Sequence, residues 1–304
     1  MKVYFRAAVL AALMIISTSC LAEPLRVVST LSTYADIAKA IGGERVSVVS
    51  IAPAADDPHF IEPRPSDVLK VKRADLFIHS GLDLEAWREP LLDAAARSEV
   101  RAGGSRQLDL SAGIKLLNLP PQGVSRAEGD IHMFGNPHYW LNPRNALTIS
   151  ESIAAKLSEI DPDGRSQYQQ NLSVWQGKLR AAMQQWEAKL KPYQGREVTG
   201  YHDGWPYLMD FAGLKMELFL EPKPGIAPSP RHLLMLGDEM KRRNAKVVVL
   251  ATFNPEGPGR NLEQQHGSVV IRLAQAVGET EEASDYIALI DSNITRLVEA
   301  LSHG

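Results

Sequence analysis

From Leu25 onward, short β-rich runs alternate with stretches of helical periodicity, the signature of layered α/β architecture. The runs that predict strands are Arg26–Ser29, Val46–Ile51, Leu76–His79, Glu197–Tyr201, Met216–Phe219, Val247–Ala251 and Val269–Leu273. Most are continuous apolar runs without polar alternation, as expected of parallel strands covered on both faces. Helices fill the intervals. Ser229-Pro230 forms an N-cap and first-turn pair ahead of Leu233-Leu234. Near the C-terminus, Ile287, Ile290, Ile294, Leu297 and Leu301 recur at alternating spacings of three and four, which predicts one buried helical stripe.

The middle of the chain differs. Between Gly164 and Tyr193 the only glycine is Gly177 and the only proline is Pro192. Tyr168, Leu172, Trp175, Leu179, Ala182, Trp186 and Leu190 fall on a single helical stripe. At ~1.5 Å per residue such a helix runs about 40 Å, the span of a domain. Strand-rich patterns lie on both sides, so the helix reads as a strut between two lobes. The expected fold class is therefore α/β, with two lobes of mostly parallel sheet flanked by helices and joined by one long backbone helix. The corresponding boundaries are 23–162 for the first lobe, 163–193 for the helix and 194–304 for the second lobe. No internal repeat or low-complexity tract is visible, and a polar loop runs from Pro120 to Pro137.

The first 22 residues predict an export signal. Lys2 and Arg6 precede an apolar run from Ala7 to Ile16, and small residues lead to Ala22, after which cleavage is expected. That run of 10 residues is half of the roughly 20 that a membrane-spanning helix takes. The leader holds two of the 33 basic residues and none of the 36 acidic ones, so the remainder carries a formal charge of -5. Such a balance argues against nucleic acid as the main partner. The single cysteine, Cys20, lies in the leader, so the fold rests on its core without disulfides. A lipid anchor at Cys20 is the alternative, disfavoured because Ser17 stands where a lipobox prefers an aliphatic residue. The expected location is the periplasm.

Three of the eight histidines share a setting. Asp57-Pro58-His59 follows the strand ending at Ile51, Asn136-Pro137-His138 closes the polar loop, and His202 follows the strand ending at Tyr201. Ligands of open α/β sheets collect beyond the carboxyl ends of strands. The prolines before His59 and His138 restrict the backbone and help aim a coordinating side chain. A lone loop histidine is most often solvated or bonded to backbone, and spacings of 79 and 64 residues match no local zinc motif. His79, His232, His266 and His303 read as structural or solvated, and His132 as an accessory candidate. Trp140, Trp205 and Tyr207 read as walls of the site rather than a platform for an organic ligand.

Taken together, three segments resemble the solute-binding proteins of zinc and manganese ABC importers, the metal-binding cluster A-I receptors. They are Asp57-Pro58-His59-Phe60-Ile61-Glu62-Pro63-Arg64-Pro65-Ser66-Asp67, Asn136-Pro137-His138-Tyr139-Trp140-Leu141-Asn142-Pro143 and Tyr201-His202-Asp203. Their order and the long helix between the second and third also match, and the resemblance extends from about Pro24 to Leu301. It implies a two-lobed receptor holding metal in its cleft, with His59 and His138 from the first lobe and His202 from the second. The family usually adds a carboxylate after the last strand of the second lobe, where this chain has Ala274. Glu221, Asp285 and Asp203 are the remaining carboxylate candidates, Asp203 alternatively as an orienting partner of a histidine.

Three neutral nitrogens without a carboxylate point to Zn²⁺ over Mn²⁺. The resemblance thus implies a binding protein, not an enzyme, that delivers Zn²⁺ to an inner-membrane ABC permease. It is expected to act as a monomer, with a metallochaperone as a further candidate partner. A manganese receptor is the first alternative. A zinc hydrolase, for which three histidines and an open position would suffice, and an adhesin with a vestigial site are others.

Overall fold

The computed structural model describes residues 23–120 and 132–303. The expected export signal, its cleavage point and Cys20 lie outside the described residues, as does most of the polar loop. Among the described residues no helix is long and apolar enough to cross a membrane.

The first half runs β1 (Leu25–Ser29), α1 (Ser32–Gly42), β2 (Val46–Ser50), α2 (Pro65–Arg73), β3 (Leu76–His79), α3 (Arg88–Ala95) and β4 (Gln107–Asp109). The second runs β5 (Glu197–Gly200), α4 (Pro206–Ala212), β6 (Lys215–Phe219), α5 (Pro230–Arg243), β7 (Val247–Ala251), α6 (Glu256–His266) and β8 (Val269–Leu273). Each half forms a four-stranded, wholly parallel sheet, in the orders β2-β1-β3-β4 and β6-β5-β7-β8. The halves repeat one winding, a duplication that the residue pattern does not reveal. β4 was not anticipated: its Gln107-Leu108-Asp109 is too short and polar to stand out, and it exists as an edge partner of β3. Ile51 and Tyr201, expected as last strand residues, fall just past β2 and β5.

Between the halves lie α7 (Pro143–Ile160) and the long α8 (Arg165–Leu190); α9 (Tyr286–His303) ends the chain. The capping expectation at α5 is met, since Ser229 Oγ accepts from the His232 amide at 3.2 Å. The stripe on α8 is buried as its spacing required: Tyr168, Trp175, Leu179, Trp186 and Leu190 are inside, with Leu172 and Ala182 partly covered. This helix supports both halves. Asn171 Nδ2 donates to the Ile41 carbonyl of α1 at 2.9 Å, and Trp186 Nε1 donates to Asp291 of α9 at 2.8 Å. One continuous apolar core joins Val27 and Phe77 of the first sheet to Val198, Val249 and Leu273 of the second. A smaller cluster around Leu233, Leu236 and Leu262 lies under α5 and α6.

The entry to α8 is pinned by charge. Asp161 accepts from Arg45 Nε at 2.7 Å, Arg45 Nη2 at 2.9 Å and the Tyr168 hydroxyl at 2.6 Å. Gly164 allows this approach, because a Cβ there would sit 2.4 Å from Asp161 Oδ2 and 2.5 Å from Arg45 Nε.

Candidate metal centre

The carboxyl ends of both sheets face a shared cleft, and histidines from both halves meet there. The ring centroids of His59 and His138 are 5.2 Å apart, those of His59 and His202 5.6 Å, and those of His138 and His202 6.0 Å. The structure therefore brings together the three histidines that the sequence singled out. It also brings in His132, with its centroid 5.2 Å from that of His59 and 5.8 Å from that of His138. One nitrogen each of His59, His132 and His202 can be chosen so that all lie within 4.8 Å of one another.

Every one of these rings is held at Nδ1 by an oxygen. Asp57 Oδ1 lies 2.5 Å from His59 Nδ1 and also accepts the His59 amide at 3.0 Å. Asn136 Oδ1 does the same for His138, at 3.0 Å to Nδ1 and 3.0 Å to the amide. These are one local device used twice: an Asx side chain folds back over the intervening proline to clamp a histidine two residues on. His202 Nδ1 lies 2.8 Å from Glu221 Oε2, and that oxygen is itself fixed by the Gly225 amide at 3.0 Å. His132 Nδ1 lies 3.0 Å from Asp83 Oδ1. An Nδ1–H donated to such an oxygen leaves the lone pair on Nε2, the tautomer and orientation in which metal-binding histidines are usually held.

Electrostatics add to this. Burial, then the neighbouring imidazoles of His59, His132 and His202, hold the pKa of His138 well below the ordinary range, so the ring is neutral. Among the described residues its buried Nε2 has no hydrogen-bond partner, a costly state for a polar atom unless something occupies it. Burial also lowers His202, but the hydrogen bond to Glu221 and its charge outweigh that, and the net shift is upward. For Asp57, burial is outweighed by its bond to and the charge of His59, and the carboxyl is shifted downward.

The cavity between these groups is about 40 Å³, lined by His59, His138, His202, Trp205, Glu221 and Gln275 among others. One water needs roughly 10–15 Å³ by this measure, so the space suits an ion and not an organic ligand. Of the three aromatic residues singled out, Trp205 lines the cavity, whereas Trp140 packs against the His138 ring at 5.5 Å between centroids and Tyr207 is buried away from the lining. Trp140 Nε1 donates to the Gln275 carbonyl at 2.7 Å, and the Tyr207 hydroxyl donates to the Asn136 carbonyl at 3.0 Å.

The carboxylates sort differently from the expectation. Asp203 does not orient a histidine; it accepts from Asn118 Nδ2 at 2.9 Å, and the orienting role at His202 falls to Glu221. Asp285 caps α9 through the Ala288 amide. At Ala274 the backbone is clamped on both sides by Asn293, at 3.0 and 2.7 Å. His79 is structural, buried at the end of β3 and bonded to Gln107. Asp83 was missed because nothing local marks it; only the fold brings it to His132. The repeated Asx-Pro-His spelling was a visible signal for Asp57 and Asn136.

A two-sheet α/β receptor with a histidine cluster in its cleft is the architecture of a metal-binding solute receptor. Residues 27–300 match the family described as "Zinc-uptake complex component A periplasmic", and the chain belongs to that family of solute-binding proteins, which are not enzymes. It is 34% identical over 295 residues to the manganese ABC transporter substrate-binding lipoprotein scaA of Streptococcus gordonii, covering 94% of this chain and 92% of the relative. A second relative, the metal ABC transporter substrate-binding lipoprotein ScbA of Streptococcus cristatus, is 26% identical over 295 residues, with the same coverage. Among solved structures, a crystal structure of ZnuA superposes with a TM-score of 0.77 at 24% identity, over 92% of this chain and 100% of that one. FpvC of Pseudomonas aeruginosa, in complex with Mn²⁺, gives 0.78 at 24% identity, over 92% and 99%. The protein is thus the metal-binding receptor of an ABC importer, and membership implies a permease partner. Its histidine cluster fits a divalent cation, zinc or manganese, as the transported ligand.

Proposed function

We infer that the protein captures Zn²⁺ outside the cytoplasmic membrane and delivers it to an ABC permease, with His59, His138 and His202 as ligands. The observation that carries this reading is the orientation of the rings: each is tethered at Nδ1 by an oxygen, leaving Nε2 for the cleft, and the metal-competent group found among the described residues, His59, His132 and His202, holds imidazoles only. Imidazole suits Zn²⁺, whereas Mn²⁺ favours carboxylate and water oxygens. Nearby Asp57 and Glu221 supply negative charge from behind the rings instead of coordinating directly. The activity is capture, not chemistry.

A manganese receptor is the second reading, supported by the name of the 34% identical streptococcal relative. For location, we favour release into the periplasm after Ala22. Anchoring at Cys20 is the competing outcome, since that relative is named a lipoprotein; the mass of the mature protein distinguishes the two. The assignment of ligands is tested with His138→Ala: zinc affinity falls by about 100-fold or more, with the fold retained by circular dichroism. Unchanged affinity would remove His138 from the site.

A further inference from the structure

The zinc reading leaves a fourth position open, and the inference drawn here rests on that reading. Ala274 stands where the family resemblance implies a carboxylate, and the backbone there is clamped by Asn293. On the opposite side, His132 Nε2 lies 3.2 Å from His59 Nε2. Around a tetrahedral zinc with Zn–N of ~2.0–2.1 Å, neighbouring ligand nitrogens lie roughly 3.3 Å apart. Two Nε2 lone pairs at that separation repel each other unless a shared proton or a metal ion lies between them, and both rings already have a carboxylate at Nδ1. The ring centroids agree: an Nε2-bound imidazole places its centroid about 3 Å from the metal, so tetrahedral neighbours are about 5 Å apart. The pairs that His132 makes with His59 and His138 measure 5.2 and 5.8 Å.

His132 is held as firmly as the other three. Asp83 grips both its ring, through Oδ1 at 3.0 Å, and the next amide, Met133, through Oδ2 at 2.8 Å. Its side chain is 10% exposed and that of Asp83 5%. Asp57 and Glu221, which also line the cavity, are engaged with His59 and His202, whereas Gln275 is a competing donor, its buried Oε1 without a partner among the described residues.

We propose that His132, carried by the polar loop of the first half, is the fourth protein ligand in place of the missing carboxylate. The shell of four neutral imidazoles then selects borderline cations such as Zn²⁺, Co²⁺ and Ni²⁺ and excludes Mn²⁺. Three carboxylates behind the rings, Asp57, Asp83 and Glu221, offset the cation's charge without entering its coordination sphere.

The test uses the metal-free full-length mature protein. Zn²⁺ and Mn²⁺ affinities are measured by competition with a chromophoric chelator, and Co²⁺ serves as a spectroscopic probe of geometry. The variants are His132→Ala, His132→Gln, His132→Asp, Gln275→Ala and His59→Ala. Losing a supporting contact behind a ligand typically costs 10–100-fold in metal affinity, and losing a ligand costs at least that. We expect His132→Ala and His132→Gln to weaken zinc by about 100-fold and to diminish the tetrahedral Co²⁺ absorption. His132→Asp should narrow the preference for zinc over manganese by about tenfold, and Gln275→Ala should change little. A loss below about tenfold in both His132→Ala and His132→Gln, with the Co²⁺ spectrum unaltered, overturns the proposal. So does a large loss confined to Gln275→Ala. If the wild type itself binds no zinc tightly, the receptor reading fails; if only His59→Ala loses zinc, that reading stands and the fourth ligand falls.

Discussion

The two Asx-Pro-His segments show how a residue acquires a function through its neighbours. Asp57 and Asn136 each use one oxygen to hold both the backbone amide and the Nδ1 of the histidine two residues on. Those histidines were legible in the sequence because the proline before each and the segment around it are local, while the clamp itself shows only in the structure. Glu221 and Asp83 were not legible in that role: they stand 19 and 49 residues from the rings they orient and reach them only through the fold. His132 was readable only as an accessory for the same reason. Asn136→Ala and Glu221→Ala should each lower zinc affinity by about 10–100-fold without abolishing it. Isothermal competition titration of the two variants provides the measurement; affinities equal to wild type would mean that the rings need no tether.

Elements came through the sequence in proportion to how much of their burial is periodic. The long helix α8 announced itself by a stripe that ends up inside, from Tyr168 to Leu190. β4 did not, since three residues at a sheet edge carry no pattern and take their conformation from β3. The duplicated strand order was invisible because it is a property of winding, not of residue identity. The start of α8 depends on the cluster of Arg45, Asp161 and Tyr168. Hydrogen bonds from Arg45, foremost, hold the Asp161 carboxyl below its ordinary range, outweighing burial, with Tyr168 adding to the effect. A carboxyl depressed in the folded state contributes its stability in full above its unfolded value of ~3.9 and loses it as pH falls through the lower folded value. Asp161→Asn should therefore cost about 2 kcal/mol at pH 7, from charge-assisted hydrogen bonds. The gap to wild type should shrink below about pH 4. Urea denaturation at both pH values checks this, and a gap independent of pH would contradict it.

For the whole molecule, the decisive feature is how tightly the halves are joined. One apolar core crosses between the sheets. Hydrogen bonds cross with it: Ser32 Oγ to the Val277 carbonyl at 2.8 Å, Asn136 Nδ2 to the Asp203 carbonyl at 2.6 Å, and Tyr286 Oη to the Trp140 carbonyl at 2.7 Å. Opening the cleft by a large rotation would break this set and expose the core, so metal loading should shift the halves only slightly. Small-angle scattering of metal-free and zinc-loaded protein should give nearly equal radii of gyration; a large contraction would show a hinge that these contacts do not allow. We propose that a cleft built from imidazoles makes this receptor a carrier of zinc. The most direct test is a competition titration of the metal-free wild type with Zn²⁺ and Mn²⁺. One zinc bound tightly per chain, with manganese weaker by orders of magnitude, is the predicted result; tight manganese, or no tight metal at all, would contradict it.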